Sequence, residues 1–285
     1  MAQVPVGFYT DTSVCIGCKA CQVACHQWNE LPADLAEQPG EGSAGQTRPL
    51  TGASYDNTGS LTANNWRHVK FIEQFSQDRN EAAWLMMSDV CKHCVNAPCL
   101  EVCPTGAIIR TEFDSVYIQE PACNGCRNCV TACPFGVIHM AGRENEGAGT
   151  AKKCTLCYDR LQHNLVPACA QACPTESIQF GPIAELKTRA EARLTQLQGE
   201  GFTRARLYGA DDQVLGGLNA FYLLLDEPEV YGLPSDPKLP SSAVPPSSAF
   251  SIITALLVAL AALFSFRRRN EDGEDEGPAA SAATD

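Results

Sequence analysis

The chain has 285 residues, 45% of them hydrophobic, so it can bury the core of one large domain or of two small ones. Its formal net charge of −12 argues against nucleic acid as a partner, because binding to phosphates requires a basic surface. The N-terminal segment MAQVPVGFYTDTSVC has no basic region, no apolar region and no twin arginine, so we predict no signal peptide there.

All 16 cysteines lie in four short runs, with four cysteines in each run. The runs cover residues 15–25, 91–103, 123–133 and 154–173. The first and third have the spacing C-x2-C-x2-C-x3-C of bacterial ferredoxins, in which three thiolates bind one [4Fe–4S] cluster and the fourth binds another. The second run lengthens one gap to four residues, and the fourth run lengthens one gap to eleven. This pattern predicts four [4Fe–4S] clusters.

Disulfides and zinc are the competing roles for so many cysteines. Disulfide frameworks are typical of small secreted domains, which this chain does not resemble in size. Four thiolates also suit zinc, and the fourth run, with its two cysteine pairs, resembles a zinc site when it is taken alone. Three of the runs end in C-x3-C-P, at Pro104, Pro134 and Pro174, and this repetition favours clusters over both alternatives.

The segments between the first three runs carry loop and strand signals. Residues 32–64 are rich in Gly, Pro, Asn and Ser, and we predict a long surface loop there. Alternating apolar residues predict strands at 66–75 and 83–87. Residues 107–111 and 116–119 flank a turn at Asp114 and Ser115, so they predict a hairpin that leads from the second run into the third.

A hairpin between two cysteine runs is the layout of a two-cluster ferredoxin, so it pairs the second run with the third. The two predicted ligand sets of this unit are Cys91, Cys94, Cys99 and Cys133, and Cys103, Cys123, Cys126 and Cys129. The first and fourth runs are then left to pair with each other, which elimination and the internal pseudo-repeat favour but spacing alone does not prove. Their predicted sets are Cys15, Cys18, Cys21 and Cys173, and Cys25, Cys154, Cys157 and Cys169.

The predicted fold class is α+β, with two ferredoxin-like halves that each hold two [4Fe–4S] clusters, over residues 1–182. Apolar residues at helical spacing from Ile183 to Leu197 predict a helix, which Gly199 and Gly201 end. Strands are predicted at 204–208 and 220–225, so residues 183–227 form a helix and strands that pack on the cluster domain. Residues 228–248 contain six prolines and predict an extended linker.

Residues 249–266 are 18 consecutive residues without a charge. At 1.5 Å per residue such a helix is about 27 Å long, close to the hydrocarbon thickness of about 30 Å, so we predict a transmembrane helix in the lipid bilayer. Arg267, Arg268 and Arg269 follow at once, whereas the preceding flank is uncharged back to Lys238. The positive-inside rule therefore predicts an acidic cytoplasmic tail at 267–285 and a cluster domain on the extracytoplasmic side of the cell membrane.

The segments DTSVCIGCKACQVACHQWN, CKHCVNAPCLEVCPTGAI, CNGCRNCVTACPFGVI and KCTLCYDRLQHNLVPACAQACP together resemble the iron–sulfur (beta) subunit of membrane-bound formate dehydrogenases. More broadly, they are similar to the four-cluster subunits of molybdopterin oxidoreductases. The resemblance covers about residues 6–180 and implies two ferredoxin-like halves with the ligand pairing given above. It also implies two partners, a catalytic subunit with molybdenum or tungsten on molybdopterin, and a membrane cytochrome b whose haem passes electrons to quinone.

The third run and the membrane anchor bear on which branch of this group the sequence resembles, and the fourth run departs from the common pattern. The third run keeps Cys123, Cys126, Cys129 and Cys133, whereas nitrate reductase and dimethyl sulfoxide reductase relatives replace one of these cysteines. Polysulfide-type subunits usually lack a membrane anchor, and hydrogenase subunits with an anchor typically have an export signal as well. The fourth run departs from the common CPTGAI by reading CPTESI, so its turn loses a glycine at Glu176.

We therefore predict a non-catalytic electron-transfer subunit of a formate dehydrogenase complex. The chain shows no activated nucleophile, phosphate-binding loop or acid–base pair, so no catalytic residue is assigned. An outward-facing domain without a signal peptide implies export together with a signal-bearing catalytic partner. The alternatives are the equivalent subunit of another molybdopterin oxidoreductase or of a hydrogenase, and, in a different class, a membrane-anchored zinc-binding scaffold.

Overall fold

The computed structural model describes residues 4–32, 55–56, 59–76, 80, 82–142 and 149–274, with only the backbone described at 243–248 and 268–274. Most of the predicted loop at 32–64 and the end of the predicted tail lie outside these residues. In the described part of the chain, the strands are β1 (Val6–Asp11), β2 (Arg67–Phe75), β3 (Ala82–Val90), β4 (Ile108–Arg110), β5 (Val116–Ile118), β6 (His139–Met140), β7 (Ala151–Lys152), β8 (Ile178–Pro182), β9 (Arg206–Tyr208) and β10 (Ala220–Leu224). The helices there are α1 (Ala20–Trp28), α2 (Pro98–Glu101), α3 (Asn128–Ala132), α4 (Tyr158–Gln162), α5 (Ala168–Gln171), α6 (Ile183–Gly199) and α7 (Val244–Glu274).

The largest sheet joins the two ends of the cysteine-rich region, with strand order β8-β1-β10-β9. β1 is parallel to β10, with Phe8 opposite Ala220, and antiparallel to β8, with Phe8 also opposite Phe180. β9 and β10 correspond to predicted strands, whereas the sequence does not predict β1 and β8. Every residue of β10 is buried, because this strand lies inside the sheet and is covered on both faces.

Three antiparallel hairpins complete the strand pairing in the described residues. β2 pairs with β3 over nine residues, β4 with β5 over three and β6 with β7 over two. The predicted strands before the second run and the predicted hairpin between the second and third runs are therefore confirmed. The chain reverses between β4 and β5 at Asp114, whose φ is +63°.

Helix α6 covers the large sheet and is confirmed where the sequence predicts it. Leu186, Ala190 and Leu197 are buried on its inner face, which packs on β1 and β8. The helix ends at Gly199, and Gly201 two residues later has a φ of +98°, a conformation that favours glycine.

Residues 1–239 form one compact unit, and residues 240–285 form a second. The sequence predicts that residues 183–227 pack on the outside of the cluster domain. In the structure, β9 and β10 from this segment instead belong to the same sheet as β1. The predicted linker also differs over residues 228–239. Its first proline, Pro228, begins a 3-10 turn at Pro228–Tyr231, and Tyr231 and Leu233 bury their side chains in the core, so this part is not extended.

The second unit contains the one helix of the described residues that is long and apolar enough to cross a membrane, with the span Ala249–Arg267 in α7. The apolar side chains of this span are exposed within the unit. The helix continues beyond the predicted residues 249–266 at both ends. Pro245 and Pro246 fall in its first turn, where proline removes no helical hydrogen bond.

Candidate iron–sulfur centres

Three cavities in the first unit are each lined by four cysteines. The lining cysteines are Cys15, Cys18, Cys21 and Cys173 in one, Cys91, Cys94, Cys99 and Cys133 in another, and Cys103, Cys123, Cys126 and Cys129 in the third. Each quartet combines three cysteines of one run with the last cysteine of another run. The structure thus brings together the residues of three of the predicted ligand sets.

The fourth predicted quartet is buried between two helices. α1 packs on α5, which places Cys25 on the first helix near Cys169 on the second. Burial raises the pKa of Cys25 well above its ordinary value, and negative charge on Cys154, Cys169 and Cys157 raises it further. All four thiols are therefore close enough to influence one another.

The four C-x2-C loops share one backbone feature. The residue before the second cysteine has a positive φ in every run, at Gly17 (+64°), His93 (+44°), Gly125 (+73°) and Leu156 (+60°). A left-handed residue turns the chain sharply, so both cysteines of the pair face the same side. Two of these four residues are glycine, which indicates such a turn in the sequence. The other two are His93 and Leu156, so the sequence gives no sign of the turn in their runs.

The second, third and fourth runs also end in the same turn. The backbone N–H of the residue three positions after the last cysteine donates to that cysteine's carbonyl oxygen, with distances of 3.4 Å from Gly106, 3.2 Å from Gly136 and 3.3 Å from Glu176. All three residues have a positive φ. Glu176 therefore adopts the conformation for which the other two turns use glycine.

The buried thiols resist ionisation as they stand. Burial raises the pKa of Cys99 to about 12, with Lys153 opposing the shift and Cys91 adding to it. Burial likewise raises the pKa of Cys154 and of Cys157 to about 12. Four adjacent thiolates are stable only with a cationic group between them, which is the condition that metal binding satisfies.

Each quartet offers four thiolates, a donor set that suits both zinc and a [4Fe–4S] cluster. Tetrahedral zinc with Zn–S bonds of about 2.3 Å would bring four sulfurs to about 3.8 Å from one another. In the residues that the structure describes, no three Cys, His, Asp or Glu side chains converge as ligands of one ion. Three cysteines of one run joined by the last cysteine of another run are the ligand arrangement of two-cluster ferredoxins, so the quartets fit [4Fe–4S] clusters.

Several hydrogen-bond donors lie beside the sulfurs. The backbone N–H of Leu156 donates to Cys154 Sγ at 3.3 Å, and the Asn29 side-chain amide lies 3.6 Å from Cys25 Sγ. The Ser88 hydroxyl lies 3.3 Å from Cys21 Sγ. Such donors stabilise thiolates and influence the potential of a bound cluster. Asn29 and Ser88 lie outside the four cysteine runs, so the cysteine spacing does not indicate them.

Neighbouring quartets lie in electrostatic contact. Cys169 affects the pKa of Cys21, Cys91 affects that of Cys154, and Cys129 affects that of Cys99. Only two of the 16 cysteines, Cys18 and Cys126, are exposed. Each quartet thus influences or is influenced by another, and the two exposed cysteines belong to different quartets.

Two family models match the cysteine-rich region, and both describe a 4Fe-4S dicluster domain, over residues 14–107 and 82–183. The fold and the cysteine quartets thus define an iron–sulfur protein with two dicluster domains. These domains and the 16 cysteines fit four [4Fe–4S] clusters.

Curated relatives identify the family within this class. The formate dehydrogenase iron-sulfur subunit of Haemophilus influenzae is 39% identical over 241 residues, which are 83% of this chain and 71% of the relative. The nitrate-inducible formate dehydrogenase iron-sulfur subunit of Escherichia coli is 37% identical over 81% of this chain and 73% of its own length. A more distant relative, from the anaerobic dimethyl sulfoxide reductase of E. coli, is 33% identical over 64% of this chain and 76% of its own length. The protein belongs to the family of formate dehydrogenase iron–sulfur subunits, which confirms the resemblance and the prediction of an electron-transfer subunit.

Proposed function

We propose that the chain conducts electrons through four [4Fe–4S] clusters, each bound by one of the four cysteine quartets. When bound, each cluster supplies a carrier that accepts and releases one electron. The observation that carries this proposal is the meeting of cysteines from distant runs, as where Cys173 joins Cys15, Cys18 and Cys21 around one cavity. We also propose that the domain consists of two ferredoxin-like halves. Each half would contain two cysteine runs, and each run would give three ligands to one cluster and one ligand to the other.

The electrostatic contacts between quartets support a linear order for the four sites. The proposed order begins with the quartet of Cys18, continues with those of Cys25 and Cys94, and ends with that of Cys126, because cysteines of successive quartets influence one another's pKa. Cys18 and Cys126 are exposed, so the first and last sites are the ones that a partner can approach closely. The inner sites are more deeply buried, and their protein walls keep water away from the carriers.

The partners follow from the family. We infer that one end of the row receives electrons from a catalytic subunit with molybdopterin, and that the other delivers them to a membrane cytochrome b. Formate is the proposed electron donor, because relatives covering most of the chain are subunits of formate dehydrogenases. This chain then provides no substrate chemistry of its own.

The span Ala249–Arg267 in α7 is proposed as a membrane anchor. Arg267, Arg268 and Arg269 at its end support a cytoplasmic C-terminus and an extracytoplasmic cluster domain. Protease treatment of intact spheroplasts tests this arrangement. We expect the cluster domain to be digested from outside, whereas protection of that domain would contradict the proposed sidedness.

The proposed function is tested on the complex purified anaerobically from membranes. We expect about 16 iron and about 16 acid-labile sulfide per chain, and reduction of a viologen dye by formate. A chain that contains zinc and no sulfide would support the scaffold alternative instead. Iron–sulfur clusters without formate activity would place the subunit with another catalytic partner.

The ligand sets are tested by single serine substitutions. Cys173→Ser and Cys18→Ser should alter the same cluster signal in electron paramagnetic resonance, because both thiols line one cavity. Cys25→Ser and Cys157→Ser should alter a different signal. If Cys173→Ser instead altered the signal that Cys157→Ser affects, the pairing of the first and fourth runs would be refuted.

A further inference from the structure

Arg67 is a fully buried cation in the middle of the first unit. It is the first residue of β2, and only 1% of it is exposed. Its guanidinium lies 4.9 Å from the centre of the Phe8 ring, and its Nη1 donates to the Ser88 hydroxyl at 2.9 Å. In the described part of the chain it forms no ion pair, so the contacts that surround it leave its charge uncompensated.

Two of the nitrogen atoms of Arg67, Nε and Nη2, have no hydrogen-bond partner among the described residues. A buried charged donor without an acceptor is costly, and such groups in native proteins usually face a ligand, an ion or a water molecule. The guanidinium presents its donors in a fixed planar arrangement, so it can address two acceptors at once.

The negatively charged groups that act most strongly on Arg67 are cysteine thiolates, and they belong to two different quartets. Burial would lower the pKa of Arg67, but negative charge on Cys169, Cys21 and Cys154 outweighs burial and raises the pKa above its ordinary value. Cys21 belongs to the quartet with Cys173, whereas Cys154 and Cys169 belong to the quartet with Cys25. Arg67 therefore acts on cysteines of both quartets, and its hydrogen bond to Ser88, whose hydroxyl lies 3.3 Å from Cys21 Sγ, places it next to the first of them.

Lys92 provides a contrast within the same core. It is also fully buried, but its Nζ pairs with Asp89 and contacts the Tyr222 hydroxyl at 3.2 Å. The carboxylate cancels most of the field of that lysine at a distance. The hydrogen bond and the ring contact of the Arg67 side chain are with uncharged groups, the Ser88 hydroxyl and the Phe8 ring, so no carboxylate among the described residues offsets its field at the sulfurs.

We propose that Arg67 sets the reduction potentials of the first two clusters, by holding a positive charge near both and by donating Nε–H and Nη2–H to their sulfur atoms. Reduction adds a negative charge to a cluster, and a nearby buried cation stabilises that charge, so the potential of each cluster rises. Arg67 is a positioning and tuning residue for electron transfer, and this role rests on the function proposed above.

Ser88 extends the influence of Arg67 to one of the two sites. Because its hydroxyl oxygen accepts from Arg67 Nη1, its own O–H is free to donate to Cys21 Sγ at 3.3 Å. A hydrogen bond to a ligand thiolate also raises the potential of the cluster. Removal of this hydroxyl should therefore affect the Cys21 site alone, whereas removal of Arg67 should affect both.

The test is a redox titration of the intact complex followed by electron paramagnetic resonance, with signals assigned through Cys18→Ser and Cys157→Ser. For Arg67→Met we expect both clusters to become at least tenfold harder to reduce, which is about 59 mV per one-electron step. Arg67→Lys should shift both potentials downward by less, because it keeps the charge and loses the planar donors. Ser88→Ala should lower one potential only.

Arg189→Met is the control, since Arg189 lies exposed on α6 and should leave all four potentials unchanged. Iron content separates the outcomes. Unchanged potentials in Arg67→Met with full iron content would overturn the inference. If Arg67→Met fails to assemble, unchanged potentials in both Arg67→Lys and Ser88→Ala would overturn it. Absence of iron from the wild-type complex would instead refute the proposed function.

Discussion

Single residues carry unusual backbone conformations around the cysteines. Gly106, Gly136 and Glu176 occupy equivalent turns, all with positive φ, but only glycine accepts this conformation without steric cost. Added side-chain atoms would meet no neighbour within 4 Å at Gly106 or Gly136. A side chain at Gly106 or Gly136 would therefore be unfavourable only because of the positive φ of the backbone, and not because of a clash with a neighbour.

A glycine introduced into one of these turns should stabilise the protein, and a side chain introduced into an equivalent turn should destabilise it. We expect Glu176→Gly to stabilise the protein by about 0.5–1 kcal/mol and Gly106→Ala to destabilise it by about 1 kcal/mol. Thermal midpoints measured at one heating rate on the reconstituted protein would show shifts of a few degrees. A lower midpoint for Glu176→Gly would mean that the glutamate side chain makes a contact that outweighs its backbone strain.

Asp89 forms ion pairs with Lys92 and Lys70 in the core of the first unit. Burial alone would raise the pKa of Asp89, but Lys92 and Lys70 lower it to about 2, so the carboxylate is ionised at physiological pH. Lys70 contacts it at 2.9 Å, and Lys92 is completely enclosed. Neither charge can leave its partner without becoming an isolated charge in the core.

Breaking the Asp89–Lys92 pair should therefore be strongly destabilising. We expect Asp89→Asn to cost about 3–5 kcal/mol, because Lys92 would remain buried without a counter-charge. The double variant Asp89→Asn/Lys92→Met should recover a large part of this loss. Lys238→Met, which breaks the exposed pair with Asp236, is the matched control and should change stability by less than about 1 kcal/mol. Equal losses in the single and double variants would argue against a role for charge.

At the scale of elements, β1 is confined between β8 and β10. A Cβ on Gly7 would lie 1.9 Å from the Asn219 carbonyl oxygen and 2.6 Å from Ile183 Cδ1. The strand therefore has no room for a side chain at this position. The backbone N–H of Phe8 donates to the same carbonyl at 2.7 Å, which fixes the separation of the two segments.

Gly7→Ala should prevent close packing of β1 and destabilise the first unit by about 2–3 kcal/mol. Gly199→Ala is the control, because its Cβ would meet nothing within 4 Å at the end of a helix. That substitution should leave stability within about 1 kcal/mol of the wild type, on the stabilising side. Hydrogen exchange of the β1 amides would report the local effect, and unchanged protection in Gly7→Ala would contradict this interpretation.

Elements with a local signal could be predicted from the sequence, and those with distant partners could not. The hairpin of β4 and β5 and the helix α6 have apolar periodicity and turn residues of their own. β1 and β8 are short, adjoin the cysteine runs and become strands only by pairing with each other and with β10. Likewise, cysteine spacing predicted four runs of cluster ligands, but their pairing needed the hairpin and elimination, and Arg67 reaches its site through tertiary packing alone.

On the scale of the whole molecule, the chain divides after Leu239 into two compact units. The first contains all 16 cysteines and the sheet, and the second contains the apolar helix. The buried Tyr231 and Leu233 near the end of the first unit indicate that a truncation must retain residues up to 239.

A chain that ends at Leu239 should therefore fold, bind about 16 iron atoms on anaerobic reconstitution and fractionate without detergent. A chain that ends at Leu225 is the control and should lose iron and aggregate, because it lacks the Tyr231 and Leu233 contacts. Iron content and sedimentation measure both properties. If the chain that ends at Leu239 still associated with membranes, the apolar helix would not be the only part of the protein that attaches it to the membrane.

The central position of β1 has a consequence for biosynthesis. This strand leaves the ribosome first, but both of its neighbours are made only near the end of the first unit. The middle cysteine runs and the hairpin between them can meanwhile reach their final arrangement. Iron can then be inserted into the two sites of the second and third runs before the two sites of the first and fourth runs exist, and the nascent N-terminus needs protection until synthesis of β10 is complete.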